Sequence, residues 1–113
     1  MKYYDEEQTG NIRRELENEI LKWPGVTAKK MFGSPCFFYG RSFFAFLVTK
    51  GIVITKLSEV ERVALAKHAD AKPFEMTGAR VPKNWIKVSL GKLEDIQKIL
   101  PFVKKSYAAI KAK

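Results

Sequence analysis

Apolar positions along this chain change period several times, and each change marks an element. Ile12, Leu16, Ile20 and Trp23 recur at i, i+4, i+8 and i+11, the spacing of one helical face. Asn11 is placed to cap that helix, and Pro24-Gly25 stops it. On its other side Arg13 and Glu17 form an attractive pair, while Glu15 and Glu19 repel mildly. Residues 1–10 show no clean period and read as a tail or a frayed turn.

From Val26 the pattern changes to strands. Residues 26–32 are extended but mostly polar, carrying Lys29 and Lys30, and Gly33-Ser34-Pro35 turns into a phenylalanine-rich meander. Its apolar runs, 36–39 and 43–48, flank Gly40-Arg41, and a third run, 52–55, follows Thr49-Lys50-Gly51. β-branched and aromatic residues between glycine-bearing turns predict hairpins. Strict alternation places Phe44, Phe46 and Val48 on one face and Phe43, Ala45 and Leu47 on the other. Likewise Ile52 and Ile54 oppose Val53 and Thr55. Both faces are then apolar, which a sheet with one wet face does not show. The second face needs a cover: a helix of the chain itself, a partner subunit or an apolar ligand. Phe43, Leu47 and Val53 are the candidate interface residues for a homodimer or a bound partner.

Ser58-Glu59-Val60-Glu61 has the capping-box spacing and opens a short helix to about His68, with Val60, Val63 and Ala64 on its packed side. Residues 70–84 read as irregular, punctuated by Pro73, Gly78 and Pro82. Residues 85–90 alternate as a fifth strand, with Ile86, Val88 and Leu90 inward and Trp85, Lys87 and Ser89 outward. The last helix, 93–112, carries the stripe Leu93, Ile96, Leu100, Val103, Tyr107 and Ile110, with Pro101 expected to kink or divide it. Lys104, Lys105, Lys111 and Lys113 sit near its C-terminal end, where they favour the helix dipole. The expected architecture is α+β: one two-layer domain over residues 1–113, with an antiparallel sheet of about five strands and flanking helices. The order is α-β-β-β-β-α-β-α.

Composition adds bounds. An apolar content of 46% with 29% charged residues is that of an ordinary globular domain, long enough at 113 residues for a core without staples. The single cysteine, Cys36, cannot form an internal disulfide, which suits a reducing compartment. The N-terminus turns acidic at Asp5-Glu6-Glu7 without an apolar signal core, and no apolar run approaches the roughly 20 residues of a membrane span. A cytoplasmic protein with no membrane partner is expected.

Charge is uneven. Residues 1–26 hold six acidic side chains against four basic ones; since the whole chain is +9, residues 27–113 carry +11. That imbalance favours acidic partners, nucleic acid first and an anionic membrane or acidic protein next. The plainer alternative is a solvated lysine surface, because these lysines are spread out rather than in one block.

Candidate chemistry is sparse. Cys36 and His68 lie 32 positions apart with no clustered ligands beside them, so no metal centre is expected. Cys36, among phenylalanines, reads as a small buried apolar residue. No glycine-rich phosphate loop joins a strand to a helix. Glu59, Glu61, Glu94 and Asp95 suit helix N-termini. An enzyme, a cofactor and a small-molecule substrate are therefore not expected.

Nucleic-acid binding fares better. Basic and aromatic residues interleave at Lys29-Lys30-Met31-Phe32, at Phe38-Tyr39-Gly40-Arg41 and between Arg80 and Lys87. Lys29, Lys30, Arg41, Arg80, Lys83, Trp85 and Lys87 are the candidate contacts to DNA or RNA, tracking phosphates and stacking bases. Neither a helix-turn-helix signature nor an RNP-type motif is present.

Several short motifs occur in a telling order. They are Met31-Phe32-Gly33, then Gly40-Arg41-Ser42-Phe43-Phe44-Ala45, then Gly51 before a strand ending Lys56-Leu57, then Pro73-Phe74-Glu75, then Trp85-Ile86-Lys87-Val88. Together they resemble the N-terminal domain of TfoX-type competence regulators over roughly residues 12–112. The related YjbR/MmcQ-like proteins share much of the pattern, including the Pro24-Gly25-Val26 that precedes the first strand. Ser34-Pro35 departs from it where a second glycine is usual. The resemblance implies a compact α+β fold with an antiparallel sheet and a DNA-binding or regulatory role, and it supplies no catalytic residues. The second domain of full-length competence regulators is not in this sequence, so a role in competence itself does not carry over.

Overall fold

The structure, a computed structural model, describes residues 4–31, 33–75 and 80–112. The first three residues, Phe32 at the end of the expected first strand, Gly78 and Lys113 lie outside them.

Helix α1 (Glu6–Ile20) buries the expected face, Ile12, Leu16 and Ile20, but it begins well before Asn11. Asp5 is the cap, accepting a hydrogen bond from the Glu7 N–H at 3.0 Å. Residues 6–10 are thus helix rather than tail. Their inward positions, Thr9 and Gly10, are buried without being apolar, so no hydrophobic period announces them. Thr9 Oγ1 instead accepts the Lys50 N–H at 2.9 Å.

Four strands follow, β1 (Val26–Met31), β2 (Ser34–Tyr39), β3 (Ser42–Val48) and β4 (Gly51–Ile54). Then come α2 (Glu59–His68), β5 (Ala71–Pro73), β6 (Ile86–Ser89) and α3 (Glu94–Lys111). The fold is α+β, with one six-stranded antiparallel sheet in the order β1-β2-β3-β4-β6-β5. β5 lies in a stretch that reads as irregular in sequence. It is three residues long, too short to show a period, and its proline suits an edge strand.

The helices cover one face of the sheet. α3 packs across β2, β3 and β4, and α1 packs on α3. α3 runs through Pro101 as one helix and seats Ile96, Ile99, Val103, Ser106 and Tyr107; Leu93, expected in its stripe, is exposed. α2 has the expected capping box, with Ser58 and Glu61 each bonding the other's N–H. Its packing differs from the expectation: Val60 and Val63 are exposed and Leu65 joins the core.

On the helix face Ala28, Phe37, Ala45, Ile54, Ile86 and Pro73 stand in register across all six strands. Strict alternation fails within β3. Phe37 pairs with Ala45 but Phe38 with Phe43, so Phe44 is an extra residue in a β-bulge. Phe44 and Ala45 both go into the helix-side core, with Phe44 against the rings of Trp23, Phe37 and Tyr107. The bulge reverses parity, so Phe43 and Phe46 share the outer face, ring centroids 6.1 Å apart. The sequence-based partition of the meander is corrected accordingly: Phe44 belongs with Leu47, and Phe43 with Phe46 and Val48.

Part of the outer face is covered by the chain itself, among the described residues by no helix. Phe74, Val81 and Trp85, from the excursion between β5 and β6, pack with Phe46, Val48 and Val53. Trp85 meets Phe43 and Phe46 edge to face at 5.6 and 5.4 Å. The excursion is tied at its base, where the Phe74 N–H donates to the Trp85 carbonyl at 3.2 Å and Asn84 Nδ2 donates to the Thr55 carbonyl at 2.9 Å. Trp85, which the alternation turns outward to solvent, is therefore half-buried.

Candidate nucleic-acid interface

The sheet register builds the site. Lys29 pairs with Cys36, Cys36 with Phe46, Phe46 with Val53, Val53 with Lys87, and Lys87 with Lys72. This one row crosses all six strands on the outer face, with lysines at both ends and apolar side chains between. At roughly 4.8 Å per neighbouring strand, the four steps from Lys29 to Lys87 span about 19 Å.

Among the described residues, the ion pairs are Arg13 with Glu6 and Glu17, Lys22 with Glu19, and Lys98 with Asp95, on or beside α1 and α3. Lys29, Lys72 and Lys87 take part in none of them. Lys29 Nζ instead stands 6.0 Å from the centre of the Phe38 ring. Lys29 and Lys72 are exposed and Lys87 is half-buried.

The other candidates divide. Arg41 is exposed at the tip of the β2–β3 turn, two residues from Phe43. Arg80 and Lys83 are exposed on the covering excursion that ends at Trp85. Lys30 is set apart. It pairs with Pro35, on the same side of the sheet as Phe37, although both it and Lys29 border a groove with Glu6, Arg13 and Glu17 of α1. Lys72 was not singled out in the sequence; only its place opposite Lys87, on a strand too short to recognise, brings it into the row.

The interface candidates are separated as well. Leu47 is fully buried in the helix-side core, Val53 is fully buried beneath the excursion, and Phe43 alone keeps partial exposure. The cause for Leu47 is the bulge, which removes it from the face Phe43 occupies.

Cys36 is 5% exposed in the middle of the row, and burial pushes its thiol pKa up. Its Sγ lies 3.5 Å from the Ser34 carbonyl oxygen. A thiol so placed acts as apolar filling. Among the described residues no group of three or more His, Cys, Asp or Glu side chains could hold a metal ion, and no helix is long and apolar enough to cross a membrane.

With this geometry in place, comparison with known families is decisive for kind. The TfoX N-terminal domain model matches residues 19–110, most of the chain. The chain belongs to the TfoX N-terminal domain family. Neither the curated proteins nor the solved structures give a match. The family match begins within α1 and ends within α3, so it takes in the whole sheet and the bulge.

Proposed function

We propose that this TfoX N-terminal domain is a non-catalytic module that binds nucleic acid through the outer face of its sheet. The observation that carries the reading is the in-register row from Lys29 to Lys87 and Lys72, free of ion pairs among the described residues and flanked by the Phe43–Phe46–Trp85 rings. An excess of +11 on residues 27–113 adds a long-range attraction for polyanions. Regulation of transcription would follow from such binding. The alternative, a homodimer through the two-faced sheet, has less to recommend it here. Phe74, Val81 and Trp85 already occupy the apolar area over Val48 and Val53 that would have invited a second copy.

Fluorescence anisotropy with labelled DNA and RNA tests the proposal. Binding of micromolar strength or weaker is expected at low salt, falling steeply between about 50 and 200 mM because each phosphate contact releases counterions. No binding to either at low salt would remove the reading.

A further inference from the structure

We infer that the outer face takes a single strand of nucleic acid rather than a duplex, its phosphates held by Lys29, Arg41 and the excursion's Arg80 and Lys83 while bases settle against the rings of Phe43 and Trp85. This rests on the nucleic-acid reading above and names the form of the ligand. The charge distribution is the first argument. Exposed basic groups flank the rings, Arg41 two residues from Phe43 and Arg80 and Lys83 on the excursion that ends at Trp85, whereas Cys36 and Val53 in the middle of the row are buried. A duplex presents phosphates outward and keeps its base faces stacked inside, so it would set ionic groups against the half-buried rings and offer them no base face. A single strand has base faces to offer, and bases bury well on aromatic rings.

The rings supply the second argument. Phe43, Phe46 and Trp85 are each half-buried, anchored in the packing yet partly open to solvent. They meet edge to face at interplanar angles of 74°, 79° and 69°, a fixed platform rather than loose side chains. The cluster owes its continuity to the bulge at Phe44, which brings Phe43 round to join Phe46.

The test compares a short labelled single strand, as DNA and as RNA, with a DNA duplex of the same length at one salt concentration. The single strands are expected to bind about tenfold tighter than the duplex. Phe43→Leu keeps the apolar filling and removes the ring, so it should weaken single-strand binding severalfold and leave the duplex unchanged. Trp85 also packs on Phe46 and Phe74, so its role is read without replacing it. In a Trp23→Phe protein, Trp85 is the remaining tryptophan, and single strands should quench its emission while the duplex does not. Duplex binding equal to or tighter than single-strand binding, or single-strand binding that ignores Phe43→Leu and leaves Trp85 unquenched, would overturn the inference with the broader reading intact. No binding to any of the three probes would remove both.

Discussion

The Ser106 hydroxyl donates to the Phe44 carbonyl at 2.7 Å and accepts from the Lys56 N–H at 3.0 Å, so one buried helical serine holds the bulge of β3. A bulge leaves backbone groups outside the ladder, and buried ones need partners from elsewhere. α3 supplies that partner from Ser106, a residue with no exposure. The pair joins the helical layer to the feature that decides which phenylalanines face outward.

Ser106→Ala therefore leaves the half-buried Lys56 N–H without its acceptor, while Phe44 keeps a bond from the Thr55 N–H at 3.2 Å. The expected loss is about 1–3 kcal/mol. Urea unfolding checks it: the midpoint should fall with the slope unchanged. A midpoint equal to that of the parent would show that the bulge does not depend on this serine.

Two turn glycines, Gly25 between α1 and β1 and Gly40 between β2 and β3, give a graded test. Gly25 has φ +78°, and a Cβ there would come within 2.6 Å of the Tyr39 ring; Gly40 has φ +64° with nothing within 4 Å. Gly40→Ala should cost only the left-handed strain, about 1–2 kcal/mol. Gly25→Ala adds a collision with a ring already packed on Tyr107, and should cost about 1–3 kcal/mol more. Thermal melts of the two variants should preserve that order.

Glu6 gives a pH dependence. Arg13 donates to both its carboxylate oxygens, at 2.8 and 2.9 Å, and Tyr4 donates a further hydrogen bond. These donors lower the Glu6 pKa from 4.5 to about 2. A carboxyl depressed on folding stabilises the native state fully above its unfolded pKa and loses that contribution as pH falls towards the folded value. The advantage of the parent over Glu6→Gln should therefore be greatest above pH 4.5 and shrink as pH falls to about 2. Melting temperatures of both proteins across that range measure it; a constant gap would contradict the assignment.

Much of this molecule was legible in its sequence, for identifiable reasons. Ile12, Leu16 and Ile20 advertise a helix, Ser58 with Glu61 a cap, and Ile86 with Val88 a strand, because in each case local pattern and tertiary role agree. The misassigned faces of the meander have one origin. Parity arguments assume one residue per rung, and Phe44 breaks that rule without a glycine or proline to mark it. Ser106 likewise reads as a gap in an apolar stripe until the carbonyl it serves is seen. The candidate site was half legible: Lys29, Trp85 and Lys87 stood out as basic-aromatic neighbours, whereas their alignment across six strands, with Lys72 added and Lys30 turned away, is set by register alone.

Lys29 and Lys30 offer the most direct test of the outer face as the binding surface. They are adjacent on the exposed edge strand and point to opposite sides of the sheet. The measurement is the slope of log binding constant against log salt for the parent, Lys29→Ala and Lys30→Ala proteins, using a single-stranded probe. Loss of one phosphate contact should flatten the slope by about 0.7. Flattening and weaker binding for Lys29→Ala, with Lys30→Ala like the parent, is the predicted result; equal effects of the two, or an effect of Lys30→Ala alone, would contradict it.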